Sequence, residues 1–105
     1  MGLLDVLFGG TKKAAYLKEI YAGGAIVVDV RSPEEFKSGH FENSINIPLQ
    51  GLAQKTAFLK QKNKPIITVC LSGARSSMAV SLLKKESIDA YNGGSWSSLA
   101  GKLKS

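Results

Sequence analysis

Residues 25–36 read Ala-Ile-Val-Val-Asp-Val-Arg-Ser-Pro-Glu-Glu-Phe, and this stretch decides the class of fold. The β-branched run 25–30 is continuous rather than alternating, which is the pattern of a strand covered on both faces. Helix signals follow at once. Ser32 suits an N-cap, Pro33 the first helical position, and Glu35 stands three residues after the serine to complete a capping box. The spacing predicts a short helix through Phe36 that ends near Gly39. A doubly covered strand feeding straight into a helix is the opening half of a βαβ unit.

The same arrangement recurs downstream. Pro65-Ile66-Ile67-Thr68-Val69 reads as a second buried strand with Cys70 at its carboxyl end. A small-residue loop then leads to a helix over 76–85, with Met78, Ala79, Leu82 and Leu83 toward the sheet. Between these units, Ile45-Asn46-Ile47 predicts a brief strand limited by Pro48, and 52–59 another helix. Asp89-Ala90-Tyr91-Asn92 predicts a last short strand. Gly93-Gly94 marks a turn at its end or a pocket wall, and 95–103 closes the chain as a helix with Trp96 in the core. Upstream, Tyr16, Leu17, Ile20 and Tyr21 recur at helical spacing after Thr11, a candidate N-cap, until Gly23-Gly24 stops them. Residues 3–8 form an apolar patch that suits either a small docked helix or a partner- or membrane-facing end. Strands alternating with helices imply an α/β domain, its mainly parallel sheet flanked by helices.

A chain of 105 residues, 44% hydrophobic and 21% charged, fits one globular domain spanning 1–105. No apolar run reaches the length of a membrane span, and residues 1–13 lack the basic start of a signal peptide. Val6 stands where a myristoylation signal needs Ser or Thr, so the expected location is cytoplasmic. The net charge of +6 comes mostly from lysines scattered singly or in pairs. Without a dense basic run or interleaved aromatics, nucleic-acid binding is not expected. A lysine surface that draws small anions toward a cleft fits better. One cysteine excludes an internal disulfide and a multi-cysteine metal site.

Ligands of open parallel sheets bind beyond the carboxyl ends of the strands. Two segments end there: Asp29-Val30-Arg31, and Cys70-Leu71-Ser72-Gly73-Ala74-Arg75-Ser76. A strand, a small-residue loop and a helix start point successive backbone N–H groups inward as an anion nest. Gly73 gives the turn its freedom, and Leu71, Ser72 and Ala74 need contribute only amides. The helix N-terminus and Arg75 both favour a Cys70 thiolate over the thiol. These residues describe a reactive cysteine in an anion cradle without choosing the anion. Asp29 suits a structural role, holding the loop or Arg75. Arg75 either pairs with a buried acid or stabilises charge on the cysteine. Arg31 reaches the pocket entrance or pairs with Glu34 or Glu35.

The order VVDVRSPEEFKSGHFENSINIPL, ITVCLSGARSSMAVSLL and YNGGSW resembles the rhodanese family from residue 25 to about 99. DVR before an acidic-Phe helix start, the G-H element before an INIP-like strand, and the C-x-x-G-x-R loop all stand in order. The resemblance implies a three-layer domain with a four- to five-stranded sheet. It also implies a sulfurtransferase that passes sulfane sulfur from thiosulfate, a polysulfide or a small persulfide through a Cys70 persulfide. The acceptor would be cyanide, a thiol or a protein cysteine, and no metal or organic cofactor is implied. Cys70 would be the nucleophile, Leu71, Ser72, Gly73, Ala74, Arg75 and Arg31 the substrate contacts, and Asp29 a support. His40, in the G-H element, resembles a family position that packs or hydrogen-bonds locally. Related phosphatases carry one residue more between Cys and Arg than the four present here, so phosphatase or arsenate reductase chemistry is the less favoured alternative. A non-catalytic rhodanese-like binding module is the other.

Overall fold

The computed structural model describes residues 14–104. The apolar patch at 3–8 and the Thr11 cap lie outside the described residues. Residues 14–22 are helical (α1) and lead into β1 (Ile26–Asp29), α2 (Pro33–Ser38) and β2 (Ile45–Asn46). A 3-10 helix (Leu49–Lys55), α3 (Thr56–Lys62), β3 (Ile66–Cys70), α4 (Ala74–Lys85), β4 (Ala90–Ser95) and α5 (Trp96–Lys104) follow.

All three strand pairings are parallel, in the order β2-β1-β3-β4. The two β-branched runs are the central strands, which is why neither alternates. Their side chains still divide by period two. Val27, Ile67 and Val69 pack on one face against Leu17 of α1 and Leu99 of α5. Val28, Ile66 and Cys70 pack on the other against Leu52, Leu59, Ala79 and Leu83. The result is three layers, helices on both faces of a four-stranded sheet. Asp29 lies opposite Val69 across the β1–β3 register. The DVR turn and the cysteine loop therefore emerge side by side at one end of the sheet.

The first turn forms as its sequence predicts. Ser32 Oγ accepts from the Glu35 N–H, and Glu35 Oε1 accepts from the Ser32 N–H, a complete capping box; Gly39 ends the helix. Three other expectations need correction. Residues 52–59 are not one helix: Leu49–Lys55 is a tighter 3-10 helix, and α3 begins only at Thr56. Gly51 weakens a continuous α-helix, and its N–H closes a turn onto Pro48 O; Leu52 and Leu59 still both reach the core.

Met78 is 62% exposed rather than facing the sheet. Buried Ser76 sets the phase of α4, Ala79 and Leu83 follow at i+3 and i+7, and Met78 turns outward. Gly93-Gly94 is no turn, because β4 runs through it to Ser95. A Cβ at Gly93 would lie 2.7 Å from Ile67 Cγ2 and 2.9 Å from Thr68 O, so a glycine lets β4 close onto β3. Between the Thr68↔Asn92 and Cys70↔Ser95 pairs the register shifts by one extra residue of β4, a bulge beside the cysteine.

Candidate active site

Gly73 is the N-cap of α4, at φ +111°, and offers no side chain to cap the helix. Cys70 Sγ takes that place. It accepts from the Gly73 N–H at 2.9 Å and from the Ser76 N–H at 3.4 Å. Ser76 is the third residue of the helix, so its amide is one that a capping side chain would ordinarily bond. The strand thus delivers a sulfur to an uncapped helix N-terminus, where amides and dipole both favour negative charge. The amides of Leu71, Ser72, Ala74 and Arg75 make no bond to Sγ among the described residues. Cys70 itself is 1% exposed, while Leu71 beside it is 61% exposed and forms an apolar rim.

Around this loop the charged residues pair differently from expectation. Asp29 does not hold Arg75. Its carboxylate accepts from Arg31 Nε at 2.9 and 3.0 Å, from Arg31 Nη2 at 2.7 Å and from the Arg31 backbone N–H at 3.0 Å. Arg31 Nη2 also donates to Gly39 O at 2.6 Å, and the guanidinium lies 4.7 Å from the Trp96 ring centroid. Arg31 is therefore 3% exposed and Asp29 fully buried. Arg31 neither reaches the pocket entrance nor pairs with Glu34 or Glu35. Trp96 is the flat lid of this ion pair and approaches Gly39 so closely that a Cβ there would clash at 2.8 Å.

Arg75 turns to Glu35 instead. Its Nη1 and Nη2 donate to Oε1 at 2.8 Å and Oε2 at 3.0 Å. One carboxylate thus closes the α2 capping box and ties that helix to α4. The Arg75 hydrogen bond, then the Ser32 N–H, pull the Glu35 carboxyl down to about 2. The same fork raises the Arg75 guanidinium further, with smaller contributions from Cys70 and Asp29.

His40 packs locally: Nδ1–H donates to Phe36 O at 2.8 Å and the ring stacks on Phe36 at 3.8 Å. A cleft of about 460 Å³ between α5 and residues 40–43 is lined by none of residues 70–76. Among the described residues no group of three or more His, Cys, Asp and Glu is placed to hold a metal ion. No helix among them is long and apolar enough to cross a membrane.

Two contributors were not read from the sequence. Glu35 appeared only as a helix cap and a candidate partner of Arg31, not of Arg75, although a cap at that end of the sheet stands beside the cysteine loop. Asn92 appeared only as a strand residue, yet its carboxamide contacts Ser76, Gly73 and Gly94.

The chain resembles known proteins in sequence and in fold. Protein YqhL of Bacillus subtilis is 35% identical over 82 residues, 76% of this chain and 64% of that protein. The chain spans less than two thirds of the length of the curated relatives it matches. The crystal structure of a rhodanese-related protein from Thermoplasma volcanium is 33% identical, with a TM-score of 0.70 over 85% of this chain and 88% of that one. A human single-domain sulfurtransferase is 27% identical, with a TM-score of 0.67 over 84% of this chain and 92% of that one. The family profile described as the rhodanese-like domain matches residues 13–100. With that match, and with the same layered parallel sheet in its structural neighbours, the chain belongs to the rhodanese-like domain family.

Proposed function

We propose that this domain is a sulfurtransferase that carries a sulfane sulfur as a persulfide on Cys70. The observation that carries the reading is the sulfur itself, seated at the N-terminus of α4 and bonded by the Gly73 and Ser76 amides. The likeness to the human sulfurtransferase supports it.

In the first step the Cys70 thiolate attacks the outer sulfur of thiosulfate, a polysulfide or a small persulfide. A bond forms between the two sulfurs. The bond from the outer sulfur to the rest of the donor breaks, and the leaving sulfite, shortened polysulfide or thiolate, respectively, takes its electron pair. The terminal sulfur of Cys70–S–S⁻ then lies where the Leu71, Ser72, Ala74 and Arg75 amides, none of them bonded to Sγ, can receive it. In the second step cyanide, a thiolate or a protein cysteine attacks that terminal sulfur and the Cys70 thiolate departs. Arg75, held by Glu35, fixes the loop from outside. Asp29 and Arg31 brace the neighbouring turn and touch no substrate.

The burial of Cys70 favours a second reading, a non-catalytic binding module whose cysteine is idle. Two amides directed at the sulfur weigh against it, because an inert core thiol needs no such donors. The short gap between Cys70 and Arg75 weighs against phosphate. Intact mass after incubation with polysulfide or thiosulfate decides: a gain of one sulfur atom, absent in Cys70→Ser, is expected. No gain with either donor would overturn the proposal.

A further inference from the structure

Both amides that hold the Cys70 sulfur belong to residues gripped by one side chain, Asn92 of β4. Its Nδ2 donates to Gly73 O at 3.3 Å, and its Oδ1 accepts from Ser76 Oγ at 2.7 Å and from the Gly94 N–H at 2.8 Å. The orientation of the carboxamide is not ambiguous. An amide N–H can only donate and a carbonyl oxygen can only accept, so a flipped Asn92 would oppose both Gly94 and Gly73. Ser76 Oγ spends its proton on Asn92 and accepts from Thr68 Oγ1 at 2.6 Å. A directed chain therefore runs from Thr68 of β3 through Ser76 of α4 to Asn92 of β4. Ser76 and Thr68 are fully buried, where such chains reinforce one another.

The two donors need this support. Gly73 sits at φ +111°, with no side chain to restrict it. Two rigid peptide planes meet at its Cα: one carries the N–H aimed at Sγ, the other the carbonyl, which accepts from the Ser77 N–H at 2.9 Å and from Asn92 Nδ2 at 3.3 Å. Ser76 is held through its hydroxyl while its N–H faces Sγ.

We propose that Asn92 is the positioning residue of the sulfur cradle, setting through Gly73 and Ser76 the direction of both amides on Cys70. It touches neither the sulfur nor a substrate. The inference rests on Cys70 as the reactive sulfur, and its test does not require sulfur transfer.

The measurement is the rate of Cys70 alkylation by iodoacetamide across pH, with a thermal melt, in wild type, Asn92→Ala, Asn92→Ser and Leu17→Ala. Loss of amide alignment weakens the thiolate alone, so both Asn92 variants should react about tenfold more slowly at neutral pH. In alkaline solution, where every protein carries the thiolate, they should meet the wild-type plateau. Leu17→Ala, in the core on the opposite face of the sheet from Cys70, lowers the melting temperature but leaves the three Asn92 bonds in place, and should keep the wild-type profile. If Asn92→Ala does not fold, Asn92→Ser, whose hydroxyl can still accept from Gly94, carries the comparison. Rates that fall equally at every pH report a change of access and would overturn the proposal, as would an unchanged profile. A wild type that reacts as described yet gains no sulfur from a donor would defeat the sulfurtransferase reading and leave this one standing.

Discussion

Replacing Asp29 by alanine should be among the most damaging single changes available to this fold. The substitution leaves the Arg31 guanidinium 3% exposed, with only Gly39 O and the Trp96 face in place of a carboxylate. Removing one partner of a buried ion pair costs about 3–5 kcal/mol, because the remaining charge is stranded away from water. Domains of this size hold only about 5–15 kcal/mol in total, and each kcal/mol moves the melting temperature by about 4–8 °C. A fall of about 12 °C or more is expected. Arg31→Ala should cost as much, since Asp29 would keep only the N–H of residue 31, and it also loses the Trp96 stacking. Urea unfolding of Asp29→Ala, Arg31→Ala and the double variant measures the coupling. The double variant, with no stranded charge, should be far more stable than the two losses added together. The same cycle on Asp29 and Arg75 should be close to additive, because Arg75 pairs with Glu35. Additivity within about 0.5 kcal/mol for Asp29 and Arg31 would refute the reasoning.

Two further outcomes are expected. The Glu35 carboxyl lies at about 2 in the fold against an ordinary 4.5, so its stabilisation is full above 4.5 and is lost as pH falls toward 2. The stability difference between wild type and Glu35→Gln should shrink across that window, and a difference constant from neutral pH to pH 2 would contradict the Arg75 and Ser32 contacts. At the rim, Leu71 is apolar while Arg31 and Arg75 are both committed to carboxylates. Thiosulfate should therefore show a high KM beside polysulfide, and Leu71→Arg should improve its kcat/KM about tenfold or more by supplying a charge-assisted contact; an unchanged donor preference would defeat this account of the rim.

The architecture was legible because its signals are local. A β-branched run beside a capping box needs no knowledge of the rest of the chain, and β1, α2 and β3 formed within a residue or so of expectation. Failures came where a distant neighbour decides. Gly93 and Gly94 resemble a turn until Ile67, Thr68 and Val69 are seen to press against the strand that contains them. Met78 reads as core until Ser76, fixed to Thr68, sets the rotation of α4. The break between the 3-10 helix and α3 hides for a different reason: Leu52 and Leu59 keep helical spacing across it, so the apolar pattern does not register the change in hydrogen bonding.

The site divides along the same line. Cys70, the small loop and the following helix are contiguous, and their spacing alone placed a sulfur at a helix N-terminus. Which acid meets which arginine is not contiguous information. Asp29, Glu34 and Glu35 lie within a few residues of one another, and composition gives no rule for dividing them between Arg31 and Arg75. One pairing was nonetheless available. Residues two apart in extended chain point to the same side, and Asp29 and Arg31 are two apart at the end of β1. Half of the Asn92 arrangement was available too, since an Asn that accepts from the N–H two residues on makes a local turn of known type. Its other half, the reach to Ser76 and Gly73, exists only because β3 places Thr68 between α4 and β4. Apolar residues need only the correct face, which period supplies. A polar residue needs a particular atom at bonding distance, and in this domain that atom commonly belongs to another element.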